Sequence, residues 1–483
     1  MGTGAREVPR SPPIPTAVVA AGGPHDRHLA GVVATQTRLW VKYLFLDISL
    51  VEVSMHVCML LEGGYPPDIR VTKEATALVA AGHRVTVLCE RDAAEPADES
   101  RDGIEIRRRR LREAPDGVAG IVRGAKFLAS YVRRPCVSGI EDLHVTDPID
   151  VLHVHDLPLG RSALEASERL DLPVVLDLHE NWPEAVRQYR GTDTWRRYVE
   201  TPSYLAGRIA MPIARWKRIE RDCVQRADRV ITVAEEAKRH YVEDCGADPS
   251  DVVVVSNVVD LERFDRDVEP ATVDGEFVLS YVGTLGGRHR GIETVLRAMP
   301  SLLETIPEAH FLVVGAGAAY EDECRALVSE LGLEEQVAFT GWVDFEQIPG
   351  YVAASDVCLV THRSTGHTET TVPHKLSQYM AMGKPVIVTD VGPLERIISE
   401  SNAGLVVPDG DSDALAREAI ELHQRPNFAA ELGSNGRQAV EERYNWERGS
   451  ASLTAMYDEL ARAECDSTGY RDAEHYRSPE ASM

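Results

Sequence analysis

Apolar and polar residues follow a regular pattern from about residue 55 onward, in which short apolar runs are separated by amphipathic segments. This pattern is typical of α/β domains with parallel sheets. Strands are predicted at Met55–Leu61, Val85–Cys89, Val151–His155, Val174–His179, Val230–Val233 and Val252–Ser256. A second series is predicted at Phe277–Val282, Phe311–Val314, Val337–Thr340, Val357–Val360, Val386–Thr389 and Leu405–Val407. The polar stretch Asp260–Glu276 lies between the series, so we expect one domain over residues 55–260 and a second over residues 277–445.

The two ends of the chain differ from this pattern. A last amphipathic helix is predicted over Trp446–Ala463, followed by a polar tail at residues 464–483. Residues 1–54 are rich in Pro and Ala and show no strand–helix alternation before Met55. We interpret them as a non-native or disordered extension that precedes an initiator at Met55. The alternative is a native, flexible N-terminal arm.

Acidic residues outnumber basic ones, since 77 Asp and Glu against 52 Lys and Arg give a formal net charge of −25. This balance argues against nucleic acid as a partner, because binding a polyanion requires a basic surface. Only seven of the basic residues are Lys. Such an acidic, Arg-rich composition suggests a proteome adapted to a salty cell interior.

The cysteines and the apolar segments bear on the compartment. The eight cysteines show no pairs at metal-ligand spacing, which favours reduced thiols in the cytoplasm. The most apolar early stretch, Leu39–Leu61, is broken by charged residues and falls short of the ~18 uninterrupted apolar residues of a spanning helix. We therefore expect a cytoplasmic protein without a signal peptide or membrane span.

Two glycine-rich loops follow predicted strands at positions where parallel sheets bind ligands. The first contains Gly63 and Gly64, and the second runs from Gly283 to Gly291 with Arg288 and Arg290. A strand, a glycine-rich loop with two Arg and a helix N-terminus together form a site for a diphosphate. The alternative for the first loop is an ordinary glycine-rich turn, and for the second it is a loop with surface arginines. A dinucleotide site after the third glycine-rich turn, Gly315–Gly317, is not expected, because Tyr320 occupies the third glycine position.

The segment from His362 to Asp390 is the richest in hydroxyl, amide and imidazole groups. Pro373 predicts a helix N-terminus there, and Gly383 predicts the end of that helix. Free amides at His374, Lys375 and Leu376 could hold a phosphate, and polar side chains of the first turn could reach a sugar or a ribose.

Four motifs in order carry a resemblance to a known family: Tyr65–Val71, Ala227–Val233, Ser256–Phe264 and Pro373–Val386. As a set they resemble the family 4 retaining glycosyltransferases of the GT-B fold, over about residues 55–463. The resemblance implies an α/β protein with two Rossmann-like domains facing a central cleft. It also implies that the nucleotide-sugar donor binds mainly to the C-terminal domain, the acceptor to the N-terminal one, and that the final helix crosses back to the first domain.

The resemblance also assigns roles to residues on the donor side. A basic pair after the first strand of the second domain would neutralise the leaving diphosphate; since Thr284 occupies its first position, Arg288 and Arg290 are the candidates. The nucleobase would meet the backbone around Trp342 and Val343. Because arginines would meet the phosphates, no metal and no other cofactor is expected beyond the nucleotide-sugar co-substrate.

One departure from the family pattern concerns two glutamates separated by seven residues. Their positions hold Thr370 and Gln378 here, and Glu369 lies one residue away from the first. Gln378 can hydrogen-bond a ribose hydroxyl without charge assistance. Glu369 is a candidate to substitute for the missing first glutamate in catalysis through a shifted loop.

On the acceptor side, His155 and His179 end two predicted buried strands, and His153 should face the same way as His155. An imidazole at such a position can orient or deprotonate a hydroxyl. His179, with Glu180 beside it, is the first candidate, and one of the three histidines is expected to be structural. Retention of configuration, with the diphosphate taking the proton of the incoming hydroxyl, is implied by the family alone.

Two basic clusters remain. The run Arg107–Arg110 is interpreted as a solvated face. A second cluster, between Arg190 and Arg221, is mixed with Trp195, Tyr198, Tyr204 and Trp216. Basic residues beside interfacial aromatics could dock on an anionic bilayer at the inner membrane face, which would suit a lipid-linked acceptor.

The sequence thus predicts a glycosyltransferase that moves a sugar from a nucleotide-sugar to a hydroxyl of a glycan or lipid-linked acceptor. Two alternatives remain open at this point. One is a catalytically degenerate nucleotide-sugar-binding protein, suggested by Thr370 and Gln378. The other is a sugar epimerase of the GT-B fold, for which no obvious pair of acid–base carboxylates is present.

Overall fold

The computed structural model describes residues 54–66, 68–92, 95–111, 127–191, 209, 211–264 and 266–475, with side chains of the last helix described up to Ala463. The expectation for the N-terminal extension lies outside these residues, apart from Ser54. Of the aromatic residues in the second basic cluster, Trp195, Tyr198 and Tyr204 also lie outside them.

An eight-stranded sheet forms the first part of the described chain, in the order β3-β4-β2-β1-β5-β6-β7-β8. Every neighbouring pair is parallel except β3 and β4, which are antiparallel. The strands are β1 His56–Leu61, β2 Arg84–Glu90, β3 Asp98–Arg101, β4 Ile104–Arg109, β5 Val151–His155, β6 Val174–Leu178, β7 Arg229–Thr232 and β8 Val252–Val254.

A six-stranded, fully parallel sheet forms the second part, in the order β11-β10-β9-β12-β13-β14. Its strands are β9 Phe277–Val282, β10 Ala309–Val314, β11 Val337–Gly341, β12 Val357–Val360, β13 Val386–Thr389 and β14 Gly404–Val407. The two parallel sheets confirm the predicted α/β fold class.

Fourteen α-helices are described between and after these strands. In the first part they are α1 Ile69–Ala80, α2 Arg134–Thr146, α3 Leu157–Leu170, α4 Trp182–Gly191, α5 Ile213–Arg226 and α6 Glu235–Glu243. In the second part they are α7 Ile292–Thr305, α8 Ala318–Leu331, α9 Ile348–Ala353, α10 His374–Ala381, α11 Gly392–Ser401, α12 Ser412–Gln424, α13 Pro426–Glu442 and α14 Trp446–His475.

The central strands are buried on both faces because helices cover both sides of each sheet. All residues of β1, β5, β6, β12 and β13 are buried. This explains why they read as short continuous apolar runs and were recognisable in the sequence. Helix α1 begins at Ile69, because Asp68 caps it by accepting a hydrogen bond from Val71 N at 3.0 Å.

The hairpin β3–β4 was not predicted, because its charged residues hide the strand pattern. Arg108, expected on a solvated face, is 2% exposed, and this expectation was wrong. Its guanidinium donates to Tyr65 O from Nε (3.2 Å) and Nη2 (2.9 Å), and Nη2 also donates to Glu99 Oε2 at 2.8 Å. Arg108 of the hairpin thereby holds the loop that follows β1 in place through the carbonyl of Tyr65.

Trp216 was expected at a membrane interface, but it is 5% exposed. Its ring packs edge-on against Tyr131, with centroids 4.6 Å apart, and against Trp182 at 5.8 Å. Trp216 therefore belongs to the core between α4 and α5 and is not available to a bilayer.

The last helix, α14, extends beyond the predicted end at Ala463 to His475 and packs against the first part of the chain. Tyr457 of this helix is fully buried, and its hydroxyl lies 2.8 Å from His153 Nδ1 on β5. Its ring also stacks on His153, with centroids 6.2 Å apart. The chain thus returns from the second sheet to the first.

Further contacts join the two parts near the central cleft. Arg396 of α11 donates to both carboxylate oxygens of Glu236 on α6, at 2.7 and 3.2 Å. Thr365 Oγ1 donates to Gln188 Oε1 on α4 at 2.8 Å. The loop after β12 is therefore held against the first part.

We expect Tyr457→Ala to lower the free energy of unfolding by about 3–5 kcal/mol, because it leaves a cavity against β5. Tyr457→Phe should cost about 1 kcal/mol, since only the hydrogen bond to His153 is lost. Urea unfolding would measure both. The control is Glu459→Ala on the exposed face of α14, and equal losses for Tyr457→Ala and this control would contradict the packing.

Candidate active site

The strand orders place a topological switch point in each sheet, and ligands of open α/β sheets bind beside such points at the carboxyl ends of strands. In the first sheet the switch lies between β1 and β5, and in the second between β9 and β12. The loops after β6, β9 and β12 meet in one cleft of about 1100 Å³ between the two parts of the chain. Its lining includes Arg70, His179, Glu180, Asn257, Thr284, His289, Arg290, His362, His367, His374, Lys375 and Gln378.

A buried ion pair forms the floor of the cleft on the side of the first sheet. Asp177, the fourth residue of β6, is fully buried. Arg70 donates to its carboxylate from Nε to Oδ2 (3.1 Å) and from Nη2 to Oδ1 (2.8 Å). Arg70 Nη1 also donates to Val255 O and Asn257 Oδ1. Burial alone would raise the pKa of Asp177, but the charges of Arg70 and His179 hold it well below the usual range. Asp177 is therefore a carboxylate.

His179 lies next to this ion pair and faces the cleft. Its Nε2 atom is 2.5 Å from Asp177 Oδ2, and its side chain is 17% exposed. Burial lowers the pKa of His179, but the Asp177 carboxylate outweighs this effect and raises that pKa to about 9. At neutral pH His179 is thus an imidazolium. It can donate a hydrogen bond and stabilise a nearby negative charge, but it cannot act as a base.

His155 and His153 lie behind His179 rather than in the cleft. His155 is 1% exposed, and its Nδ1 atom lies 3.2 Å from Asp177 Oδ2. The two rings stack with centroids 4.5 Å apart, so they face the same way, as expected from the period of the strand. Burial lowers the pKa of both imidazoles. The structure therefore brings His179 to the cleft and places His155 beneath it.

Glu180 is the one carboxylate among the described residues that line the cleft. Burial, aided by the nearby Asp156 charge, raises the pKa of Glu180 to about 7. Its side chain can therefore gain or lose a proton close to neutral pH.

Glycines shape the loop on the opposite wall. A Cβ at Gly315, whose φ is +137°, would come within 2.2 Å of Gly283 O. This close approach lets Gly283 N donate to Val314 O and Leu285 N donate to Ala316 O. Gly315 and Gly317 therefore support the loop after β9.

Two basic side chains, Arg290 and Lys375, face the cleft from this wall. Lys375 is 8% exposed, and its Nζ lies 3.6 Å from the centroid of the Tyr281 ring. Among the described residues no side chain or carbonyl accepts a hydrogen bond from Lys375 Nζ or from Arg290 Nε. Burial and the Arg290 charge hold the pKa of Lys375 well below its ordinary range. An anion in the cleft would favour the charged form of Lys375 and would pair with Arg290, because a buried cation without a partner is costly.

Three neutral imidazoles surround these cations. Arg290 Nη1 lies 3.3 Å from His362 Nε2, and the His289 ring lies 6.5 Å from His362 and 6.4 Å from His367. Burial and the Arg290 charge lower the pKa of His289 to about 3 and that of His367 to about 4. These rings add polar groups to the wall without adding charge.

Of the predicted site residues, Thr284, Arg290, His374, Lys375 and Gln378 meet His179 in the cleft. Arg288, the other candidate for the basic pair, does not line it. Its side chain is 73% exposed, and Nη2 lies 3.0 Å from Glu323 Oε2 on α8.

Other predicted residues lie outside the cleft lining. Leu376 is buried and faces a separate cavity of about 800 Å³ behind α10. Trp342 is 76% exposed, and Val343 packs against the core. Gly63 and Gly64 follow β1 in open space, where a Cβ on either would meet no atom within 4 Å.

Glu369 also points away from the cleft. Its Oε1 atom accepts a hydrogen bond from Ser364 Oγ at 2.5 Å, and Oε2 accepts one from Gly392 N at 2.9 Å. Gly392 begins α11, so the carboxylate satisfies a free amide at that helix N-terminus. The structure thus gives Glu369 a role in holding the loop after β12.

Three residues of the cleft and its floor, Arg70, Asp177 and Asn257, were not predicted as site residues. Arg70 and Asn257 stand within quoted family motifs, and Asp177 is a charged residue inside an otherwise apolar strand. That last feature was a usable signal, because a carboxylate in a buried strand needs a partner.

Solved structures with the same architecture define the class of protein. A sucrose-phosphate synthase from Thermosynechococcus elongatus superposes with a TM-score of 0.67 at 22% identity, covering 85% of this chain and 100% of that one. HepE from Anabaena, solved with UDP-glucose, superposes with a TM-score of 0.61 at 16% identity, covering 84% and 100%. The fold is that of the GT-B glycosyltransferases.

Sequence comparison identifies the family. The family model described as "Glycosyltransferase Family 4" matches residues 69–263, and "Glycosyl transferases group 1" matches residues 276–425. A phosphatidyl-myo-inositol mannosyltransferase of Mycolicibacterium smegmatis is 25% identical over 316 residues, 65% of this chain and 72% of that relative. A D-inositol 3-phosphate glycosyltransferase of Streptomyces bingchenggensis is 25% identical over 336 residues, 67% of this chain and 68% of that relative. The chain belongs to family 4 of the glycosyltransferases and is a glycosyltransferase.

The protonation of His179 has a testable effect on stability. Its pKa in the folded protein, about 9, lies above its ordinary value of 6.5. The stabilisation is therefore fully present below the ordinary value and is lost as pH rises through the folded value. Between pH ~7 and pH ~10 we expect the wild type to lose ~3 kcal/mol more than His179→Gln.

Urea unfolding of both proteins at the two pH values measures this difference, in which titrations common to both cancel. An NMR titration of the His179 ring should show a midpoint near 9. Equal losses for the two proteins, or a midpoint at the ordinary value, would contradict the assignment of an imidazolium.

Proposed function

We propose that this enzyme transfers a sugar from a nucleoside diphosphate sugar to a hydroxyl acceptor with retention of anomeric configuration. The observation that carries this proposal is the pair of cations, Arg290 and Lys375, that face the cleft without a hydrogen-bond acceptor for Nε or Nζ among the described residues. Arg290 in the loop after β9 and Lys375 at the start of α10, both charged once an anion binds, match the charge of a diphosphate.

The diphosphate would lie between the loop after β9 and the N-terminus of α10. Arg290 offers a planar guanidinium for two phosphate oxygens, and Lys375 offers a point charge. The first amides of α10 add the positive end of the helix dipole. Arg288 takes no part, since it pairs with Glu323 on the outer surface.

The nucleoside would extend from the diphosphate along the second sheet. Gln378 lines the cleft one turn after His374 and can hydrogen-bond a ribose hydroxyl. The base would meet the backbone near Trp342 and Val343, as the family resemblance implies. HepE was solved with UDP and with UDP-glucose, which makes a UDP-sugar the first donor to test.

The reaction would take place where the sugar reaches the first sheet. The bond between the anomeric carbon and the diphosphate oxygen breaks, and its electrons leave with the diphosphate. The acceptor oxygen bonds to the anomeric carbon on the same face, and its proton passes to the leaving phosphate oxygen. His179, as an imidazolium held by Asp177, would donate a hydrogen bond to the sugar or acceptor.

This proposal requires no metal ion in the reaction. Arg290 and Lys375 supply the positive charge that the leaving diphosphate needs. A GT-B sugar epimerase would need acid–base carboxylates around the sugar, and Glu180 is the one carboxylate among the described lining residues.

We expect Arg290→Ala to lower kcat/KM for a nucleotide-sugar by ~10²–10³-fold, because charge stabilisation of the leaving group is lost. Lys375→Met should have a similar effect. Arg288→Ala is the matched control: the same type of residue on the same loop, exposed and outside the cleft. Its activity should stay near that of the wild type.

Release of nucleoside diphosphate and formation of glycosylated acceptor would be followed together, after a thermal-shift screen of UDP-, GDP- and ADP-sugars. Nucleotide binding without transfer would support a degenerate binding protein, and return of an isomerised nucleotide-sugar would support an epimerase. An effect of Arg288→Ala equal to that of Arg290→Ala would contradict the proposed diphosphate site.

We further propose a glycan or lipid-linked acceptor that brings the enzyme to the inner membrane face. The relatives named above include a phosphatidyl-myo-inositol mannosyltransferase, whose name describes a lipid acceptor. Helix α5 displays Lys217 and Arg218 on its exposed surface, where they could meet anionic head groups. Among the described residues, no helix is both long and apolar enough to cross a bilayer, so contact would be peripheral.

Flotation with anionic vesicles tests this second proposal. We expect Lys217→Glu/Arg218→Glu to float less than the wild type, because each basic residue near an anionic surface contributes ~1 kcal/mol. Arg297→Glu/Arg417→Glu is the control with the same charge change on exposed parts of α7 and α12. Equal flotation of both variants, or none by the wild type, would contradict membrane contact through α5.

A further inference from the structure

A second cluster of chemically active side chains lies away from the cleft, where α5, α6 and the turn after α6 meet. His240 Nε2 lies 3.4 Å from Glu220 Oε2, and Cys245 Sγ lies 3.8 Å from the same oxygen. Cys245 Sγ and His240 Nε2 are 3.9 Å apart. Glu220 and Cys245 are buried, whereas the His240 side chain is 16% exposed and leaves a route from solvent.

These three atoms have the chemistry and spacing of zinc ligands. Zinc in proteins is bound by thiolate, imidazole and carboxylate, at about 2.3 Å for sulfur and about 2.0–2.2 Å for nitrogen and oxygen. Ligands at those distances in a tetrahedron are separated by about 3.3–3.6 Å. The separation between His240 and Glu220 lies within this range, and the two separations from Cys245 Sγ exceed it by at most a few tenths of an ångström. We propose that Glu220, His240 and Cys245 bind one zinc ion, with a water molecule as the fourth ligand.

The surroundings of the cluster support this assignment. Asp244 Oδ2 lies 2.9 Å from His240 Nδ1, so it orients the ring with Nε2 toward Glu220 and Cys245. Carboxylates bonded to the second nitrogen of a ligand histidine are the usual support of protein zinc sites. Gln225 Nε2 donates to Cys245 O at 2.8 Å, and Arg221 donates to Asp244 O from Nε and Nη2 at 3.2 and 3.1 Å. These bonds fix the turn that carries the thiol.

The charge of the ligand set also matches the ion. A glutamate carboxylate and a cysteine thiolate carry two negative charges, which balance Zn²⁺ when the imidazole is neutral. A mixed set of sulfur, nitrogen and oxygen favours zinc over magnesium or calcium, which prefer oxygen ligands alone. Without a metal, the cluster would be an imidazolium held between Glu220 and Asp244 beside a thiol.

A second group of close metal-binding side chains, Glu74, His153, His155 and Asp177, is a weaker candidate. Arg70 Nη2 already lies 2.9 Å from Glu74 Oε1 and 2.8 Å from Asp177 Oδ1. A metal ion there would face a guanidinium at the carboxylates. In the Glu220 cluster, no cation of the described part of the chain lies between the three ligand atoms, because Arg221 is directed to the Asp244 carbonyl.

The proposed ion would stabilise the edge of the cleft rather than take part in the reaction. It would join the middle of α5 to the end of α6 and the following turn. The next residue on α6, Tyr241, directs its hydroxyl to Glu180 O at 3.4 Å. Zinc would thus fix the helix that supports the segment carrying His179 and Glu180.

Titration of the full chain with Zn²⁺, after removal of bound metal by a chelator, tests the site. We expect one zinc ion per chain and a higher melting temperature, since a ligand of the native state stabilises it. Cys245→Ser and Glu220→Gln should each weaken zinc binding at least ~10-fold. Cys136→Ser, which removes another buried thiol on α2, should bind zinc as the wild type does.

Replacement of zinc by Co²⁺ gives a second readout that does not depend on stability. A thiolate-to-cobalt charge-transfer band should appear in the wild type and in Cys136→Ser and be absent in Cys245→Ser. If Cys245→Ser does not fold, Asp244→Asn replaces it, because this exposed side chain is outside the core and should still weaken zinc ~10-fold.

Failure of the wild type to bind zinc or to show the cobalt band would overturn the proposal in favour of the imidazolium cluster. Zinc binding of equal strength in the wild type, Cys245→Ser and Asp244→Asn would overturn it as well, since the metal would then lie elsewhere. Neither result depends on the donor or on transferase activity.

Discussion

The buried ion pair between Asp177 and Arg70 is the interaction on which the architecture of the site depends. A carboxylate without solvent needs a fixed counter-charge, and Arg70 supplies it through two hydrogen bonds. The third nitrogen of the same guanidinium, Nη1, donates hydrogen bonds to Val255 O and Asn257 Oδ1. Arg70 therefore joins the start of α1 to the end of β6 and to the segment that follows β8. The same carboxylate keeps His179 protonated and directs it to the cleft.

On the opposite wall of the cleft, formed by the loop after β9 and by α10, the basic side chains that face the cleft have no carboxylate partner among the described residues. Within this part of the chain no carboxylate forms an ion pair with Arg290 or Lys375, although Glu180 lines the same cleft, and the imidazoles of His289 and His367 are neutral. Positive charge that is unpaired in the protein is stabilised when an anionic substrate enters, whereas the paired charges around Asp177 are stable by themselves. In a chain with a net charge of −25, Arg290 and Lys375 place basic groups in the cleft where we propose that a nucleotide-sugar binds.

Much of the fold could be read from the chain, because strands buried on both faces appear as apolar runs. The β3–β4 hairpin could not, since its charged residues conceal a strand whose Arg108 is buried by bonds to distant carbonyls. The sequence also could not distinguish the roles of neighbouring residues. Arg288 and Arg290 stand two residues apart, yet one pairs with Glu323 outside and the other faces the cleft. Glu369 was a candidate for catalysis in the sequence, but in the structure its carboxylate accepts a hydrogen bond from Gly392 N at the start of α11.

The sequence by itself determined the alternation of strands and helices, the glycine-rich loops and the motifs that identify the family. These properties are local, because they follow from the period of burial and from backbone freedom within a few residues. Only the tertiary structure decided which polar groups are paired and which are free. His179 is a cation, His155 lies buried beneath it, and Lys375 has no hydrogen-bond acceptor for Nζ among the described residues. Each outcome depends on groups far apart in the chain, whose distances only the packed domains define.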